Sequence, residues 1–325
     1  MIKKAFLIIA GIILFVYLFV SMNFNPNLLI QVKNPGYIIV SLFLFLSSIV
    51  IIALRTSFFI KSIGEKSCSL LKLVKIEFIG KFFYYVFPTR LNVPAKAVLL
   101  SKESGISKGN AISITTFEYA LDVGIMFILG LLGLSIFFQN FFDEITLNKI
   151  IYSVILLFVV VLVFFIIPKS FFKKCLAKLE KVKASLFRKV LLFSWKIIVK
   201  IRETWPKMLL NKQTFPVVFI LILNWILVAL STEFIFLAYY DYVPFLWVLT
   251  VSVVAVLIGG ISQIPGGLGL KEITLVLLFT FLGVPEQIAL TSALLSRIFT
   301  IIPIMVGYYF LIEFGGKNKI NDLFK

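Results

Sequence analysis

IPGGLGLKEITLVLL, residues 264–278, and FPTRLNVPAKAVLL, residues 87–100, decide how this chain is read. Each has a proline, a leucine three residues later, then charge, then an apolar run. Gly266, Gly267 and Gly269 break any helix that reaches them, and Pro88 and Pro94 do the same in the other stretch. A helix restarting near Leu270 would present amides with no intrahelical partner. At membrane depth such backbone is tolerated only where protein or a wet cavity surrounds it.

Membrane depth is the right frame, because the sequence around both stretches is apolar. Hydrophobic residues make up 61% and charged residues 14%, where a soluble domain has roughly 25% charged. Apolar blocks of spanning length lie near residues 5–22, 36–54, 110–138, 151–168, 215–238 and 288–312. No A-x-A-like site follows the first, so it reads as an uncleaved span. The expectation is one polytopic, all-α integral membrane domain over residues 1–325, with about eight helical segments.

Orientation follows from lysine and arginine. Between Pro168 and Phe215 stand thirteen of them against Glu180 and Glu203, so 169–213 reads as a cytoplasmic loop. Residues Arg55 to Lys75 then lie inside, and both termini are cytoplasmic. That scheme closes only if 70–100 and 244–282 each return to the side they left. The two odd stretches would then be the tips of broken or re-entrant hairpins entering from opposite sides, as an inverted repeat requires. Spacing supports the repeat: Pro88 precedes Gly105 by 17 residues and Pro265 precedes Gly283 by 18, with Ala111 and Ala289 six further on. Glu118 and Arg297 follow at nearly matching positions.

In the basic loop, Phe172, Leu176, Leu179, Leu186, Phe187 and Val190 recur near helical spacing among lysines. This predicts an amphipathic helix on an anionic inner leaflet. It also accounts for much of the net charge of +17 without any nucleic-acid partner.

Ionisable residues inside a bilayer each cost about 2.5–3.5 kcal/mol on insertion scales and point to functional pathways. The candidates are Glu77, Lys81, Arg90, Lys96, Glu118, Asp122, Glu233, Lys271, Glu272 and Arg297. Glu118 and Asp122 share a helix face and are expected to pair with Arg297 and Arg90. Glu77 and Glu233 are read as structural. Gly266, Gly267 and Gly269, with Arg90, Lys96, Lys271, Glu272 and Arg297, are expected to form an anion site, the amides ahead of Leu270 facing phosphate. Catalysis is not expected. There is no histidine, Cys68 and Cys175 stand alone, and the outer loops near 23–35, 139–149, 239–243 and 283–287 hold no D-x-D. No metal or other cofactor is implied.

At these stretches the chain resembles the membrane region of lysylphosphatidylglycerol synthases and the stand-alone prokaryotic membrane proteins that share it. The family's P-G-G-x-G-x-R/K-E stands here as Pro265 to Glu272, followed by Gly283-Val284 and Arg297. Its P-G-R-L-G-E-P-x-R stands as Pro88 to Lys96, and its E-R-x-x-D helix as Glu118 to Asp122. Thr89 and Asn92 replace glycine, Val93 an acid, and Tyr119 an arginine. The resemblance implies a flippase-like domain in a prokaryotic plasma membrane that moves an anionic or aminoacylated phospholipid, or a polyprenyl-phosphate carrier, between leaflets. Membrane lipids with anionic headgroups are the implied partners. The alternative is a non-transporting scaffold for a glycosyltransferase or lipid-synthesis enzyme, with the basic loop as its docking face.

Overall fold

The structure, a computed structural model, describes residues 2–21, 24–66, 68–88, 91–137, 152, 186–240 and 242–315. Helices α1 (Ile2–Ser21) and α2 (Pro35–Ser62) open the chain. Then comes a helical hairpin, α3 (Leu70–Val86) and α4 (Asn92–Ser104), and the long α5 (Lys108–Phe137). After the undescribed stretch follow α6 (Leu186–Leu209) and α7 (Phe215–Tyr239). A second hairpin, α8 (Phe245–Ile261) and α9 (Leu270–Phe281), leads to α10 (Glu286–Phe299) and α11 (Ile301–Glu313). The described residues are helical, with no strand, and four helical stretches are long and apolar enough to cross a membrane. The expected span at 151–168 lies outside the described residues.

The exterior of the bundle is apolar. Ile39, Phe43, Phe215 and Phe219 are each more than two-thirds exposed, while Arg55, Glu77, Lys96, Glu118 and Glu272 are buried. This inverts the usual arrangement of a soluble protein and suits hydrocarbon outside and charge within.

Both unusual stretches are breaks inside hairpins. The arms span 17 and 13 residues in the first and 17 and 12 in the second. At 1.5 Å per residue each arm is roughly 18–26 Å long, short of the ~30 Å hydrocarbon core. The second break is a 3₁₀ turn over Pro265–Gly267, with Gly266, Gly267 and Gly269 at φ of 55°, 67° and 83°. That left-handed region is nearly closed to residues bearing a Cβ. The first hairpin's tip packs against the second's: a Cβ on Gly266 would lie 2.6 Å from the Tyr85 ring. The order hairpin, glycine, helix occurs twice. Gly105 and Gly283 both have positive φ, and Ala111 and Ala289 are both fully buried.

Small residues bring these elements together, as is general where lipid removes the hydrophobic drive between helices. Ser41 and Ser231 exchange hydrogen bonds between α2 and α7, each hydroxyl reaching the other's carbonyl at 2.5 and 2.9 Å. On α11, Gly307 lies so close to α3 that a Cβ there would be 2.2 Å from the Phe78 carbonyl oxygen.

Two expectations are corrected. The span read as ending at residue 54 continues to Ser62, so Arg55 is not in an inner loop but inside a helix, 3% exposed. The helix continues because Arg55 has buried counter-charges. The region 288–312 is two helices meeting at Thr300, since Pro303 lacks the N–H that would bond back to Phe299. In the basic loop, the described helix α6 is fastened to the bundle. Trp205 Nε1 donates to the Ser113 carbonyl at 3.1 Å and Met208 is fully buried. Residues 169–185 of the expected amphipathic helix lie outside the described residues.

Gly307→Ala should lower stability by on the order of 1–3 kcal/mol, because backbone must move to admit the methyl group. Gly36, with open space around it, should accept alanine at no cost or a gain of up to about 1 kcal/mol. Thermal unfolding of both variants in detergent micelles checks this pair.

Candidate functional site

Two groups of buried charge stand beside one cavity. The first joins four helices. On α2, Arg55 grips Asp122 of α5 with both guanidinium arms, Nη1 to Oδ1 at 2.6 Å and Nη2 to Oδ2 at 3.1 Å. Its Nε lies 3.8 Å from Glu118 Oε1. From α4, Lys96 reaches Glu118 Oε2 at 2.7 Å and also contacts Glu77 of α3. The Thr56 hydroxyl sits among them, 3.1 Å from Lys96 Nζ, 2.5 Å from Glu118 Oε1 and 3.0 Å from Glu77 Oε1. It accepts from the ammonium and donates to a carboxylate. Removing these charges from water is costly, and only mutual pairing with good hydrogen bonds offsets it.

The second group closes the glycine break. Glu272 reaches back to accept from the Gly269 N–H at 2.8 Å, the position from which a carboxylate caps its own helix. Arg297 of α10 holds that carboxylate through Nη2 at 2.5 Å and Nε at 3.1 Å. Both its terminal nitrogens also donate to the Gly266 carbonyl at 3.2 Å. Arg297 thus fastens the break to the helix behind it.

Between the groups lies a cavity of about 230 Å³. Its polar wall comes from both hairpins, with Lys81, Tyr84, Tyr85 and Asn92 from the first and Gly266 and Lys271 from the second. Arg55, Glu118 and Asp122 complete that wall, while Ile52, Met126, Val228 and Val256 make an apolar one. Asn224 Oδ1 and Trp225 Nε1 on α7, and Asn92 Oδ1, are buried at the cavity without a hydrogen-bond partner among the described residues.

The expected residues therefore divide. Lys96, Glu118, Asp122, Gly266 and Lys271 border the cavity, and Glu272 and Arg297 pair beside it. Glu118 and Asp122 share a face as expected, but their partners are Arg55 and Lys96 rather than Arg297, which is committed to Glu272. Arg90 lies outside the described residues. The helix does restart at Leu270, yet the Gly269 amide faces a carboxylate from its own helix, not an open cavity. Glu77, read as structural, belongs to the first charge group, and Glu233 stands apart from the cavity. Arg55 was missed. Its signal was an isolated arginine inside IIALRTSFFI, with apolar residues on both sides.

A family model described as the lysylphosphatidylglycerol synthase TM region matches residues 4–307. A UPF0104 membrane protein of Methanocaldococcus jannaschii is 27% identical over 288 residues, 85% of this chain and 84% of the relative. Another, of Pyrococcus horikoshii, is 27% identical over 326 residues, 94% of this chain and 95% of its own. A third, of Methanothermobacter thermautotrophicus, is 35% identical over 89 residues, 27% of each chain. No solved structure matches.

The ion-pair geometry predicts a non-additive stability pattern. Arg55→Leu leaves Glu118 and Asp122 without their guanidinium and should cost about 3–5 kcal/mol. The double variant Arg55→Leu/Asp122→Leu should be more stable than Arg55→Leu alone. Thermal unfolding of the two in detergent measures the difference, and equal or lower stability of the double variant would contradict the pairing.

Proposed function

The chain belongs to the lysylphosphatidylglycerol synthase transmembrane-region family, and from that premise we propose that it moves a charged lipid between the leaflets of a prokaryotic plasma membrane. The observation that supports this most is the charged cavity between two broken hairpins, set inside a bundle whose exterior is apolar. A lipid has the matching division. Its headgroup suits the wall of lysines, carboxylates and amides, and the chains leaving it suit the wall of Ile52, Met126, Val228 and Val256.

In this proposal the two hairpins are the moving parts. The charge group around Lys96 binds α4 to α2, α3 and α5, and the Arg297–Glu272–Gly266 contacts bind the second break to α10. Each tip therefore moves with a helix bundle behind it, and their meeting at Tyr85 and Gly266 becomes the gate. The cytoplasmic placement of both termini belongs to the same proposal and rests on the lysines and arginines between 169 and 213. No reaction is assigned, so the chain is read as a carrier rather than an enzyme.

A second reading, a membrane scaffold for a glycosyltransferase or lipid-synthesis enzyme, is favoured by the basic loop and by α6, which holds its C-terminal half against α5. One experiment weighs the two. Translocation of fluorescent anionic, aminoacylated, zwitterionic and polyprenyl-phosphate lipids is followed in proteoliposomes carrying the native chain, Lys271→Ala or Glu272→Gln. Transport predicts that at least one charged class moves, and that both substitutions bring its rate to that of protein-free vesicles. Folded, inserted protein that moves no lipid would end the transport reading and turn attention to the loop's surface.

A further inference from the structure

The cavity carries a charge imbalance that restricts its ligand. Among the described residues, Arg55, Lys81, Lys96 and Lys271 line it against Glu77, Glu118 and Asp122, four cations to three carboxylates. Arg297 and Glu272 beside it cancel. Arg55 and Lys96 take all three acids as partners. Among the described residues, neither Lys81 nor Lys271 has a carboxylate at ion-pair distance; Lys81 lies within longer electrostatic reach of Glu77 and Asp122, and Lys271 of Glu272, Arg297 and Lys81. One ammonium comes from each hairpin. Two such groups lining one cavity repel, and a single negative charge there balances the described charges.

A second observation concerns what else the ligand carries. Asn224 and Trp225 are 7% and 6% exposed, and Asn224 Oδ1 and Trp225 Nε1 lack partners. Asn92 Oδ1 is orphaned in the same wall. An unpaired buried polar atom is destabilising, so the occupant should satisfy these groups. Amide oxygens need a donor, and an ionised phosphodiester group has none to offer. Hydroxyl groups serve both the amide oxygens and the indole N–H.

We infer that the cavity selects a phosphodiester lipid whose headgroup bears hydroxyls. Its phosphate lies between Lys81 and Lys271, and its hydroxyls meet Asn92, Asn224 and Trp225. The inference rests on the transport reading only for what the cavity is for; the binding chemistry stands on the residues themselves. A phosphomonoester carries about −1.5 to −2 at neutral pH, more than the single excess charge. An aminoacylated headgroup adds ammonium where no acid is left to receive it. Two lipids have the required chemistry, a glycerophospholipid with a polyol headgroup and a polyprenyl phosphosugar.

The test measures binding apart from transport, by calorimetry on the full chain in detergent with short-chain ligands. They are dihexanoylphosphatidylglycerol, its lysyl ester, farnesyl phosphate and a farnesyl phosphosugar. At least one hydroxylated phosphodiester should bind about tenfold or more tighter than the lysyl ester and farnesyl phosphate, and whichever does so identifies the source. Lys81→Gln and Lys271→Gln should each weaken it about tenfold, while the arginine variants keep the charge and the affinity. Asn224→Leu should weaken the hydroxylated ligands and leave farnesyl phosphate unchanged. Equal or tighter binding of the lysyl ester or the monoester, no binding of any ligand, or indifference of the folded glutamine variants would overturn the inference. Selective binding without translocation would fail the transport proposal alone, and translocation without headgroup preference would fail this inference alone.

Discussion

The position of Lys96 depends on Glu77 and Glu118, and much of the bundle depends on Lys96. An ammonium 8% exposed in an apolar bundle is stable only with counter-charge at contact distance. Those carboxylates come from two other helices, and Thr56 and Arg55 bring in a third. The first hairpin therefore stays where its charges are neutralised, and α2, α3, α4 and α5 converge on one point. Apolar packing around Phe59, Ile79, Phe83 and Leu99 fills the space, but lipid tails would fill it about as well. The ion pairs supply the specificity that hydrocarbon contact lacks.

The second hairpin solves the same problem with different chemistry. Its break has backbone rather than side chains to satisfy, and Gly266, Gly267 and Gly269 turn at positive φ where a Cβ would strain. Glu272 takes the amide of Gly269 at the head of the new helix, and Arg297 neutralises Glu272 while holding the Gly266 carbonyl. One ion pair thus closes the polar ends of the break. Gly267 lies so near Gly259 that a Cβ on it would approach the Gly259 Cα at 2.8 Å. The turn is folded tightly onto its own incoming helix.

Where the tips meet, the two solutions leave a remainder. Pairing consumes Arg55, Lys96 and Arg297 and leaves the ammonium groups of Lys81 and Lys271 facing the cavity. Among the described residues the network stops one negative charge short, which a purely structural role would not require. The cavity's other wall is aliphatic, so the unpaired charge adjoins a surface that accepts alkyl chains. The proposed lipid role and the inferred headgroup both come from that juxtaposition.

Composition and spacing were enough to establish the class of protein. Apolar blocks of spanning length need a bilayer, and the glycines at 266, 267 and 269 and the prolines at 88 and 265 placed both breaks, because backbone conformation there is a local property. The pairing of charges was not local. Glu118 and Asp122 were legible as a shared helix face, but which cation they meet depends on how α2 and α4 cross α5, and spacing along one chain carries no such information. For the same reason Arg55 looked like the end of a span: its stabilising partner is 67 residues away. The sequence alone determined a polytopic helical bundle with two broken hairpins, since length, hydropathy and turn chemistry act within a few residues. Only the tertiary structure decided that Arg55 replaces Arg297 in the first cluster, that Arg297 belongs to Glu272, and that among the described residues Lys81 and Lys271 have no carboxylate at ion-pair distance, because ion pairing is settled by distances across helices.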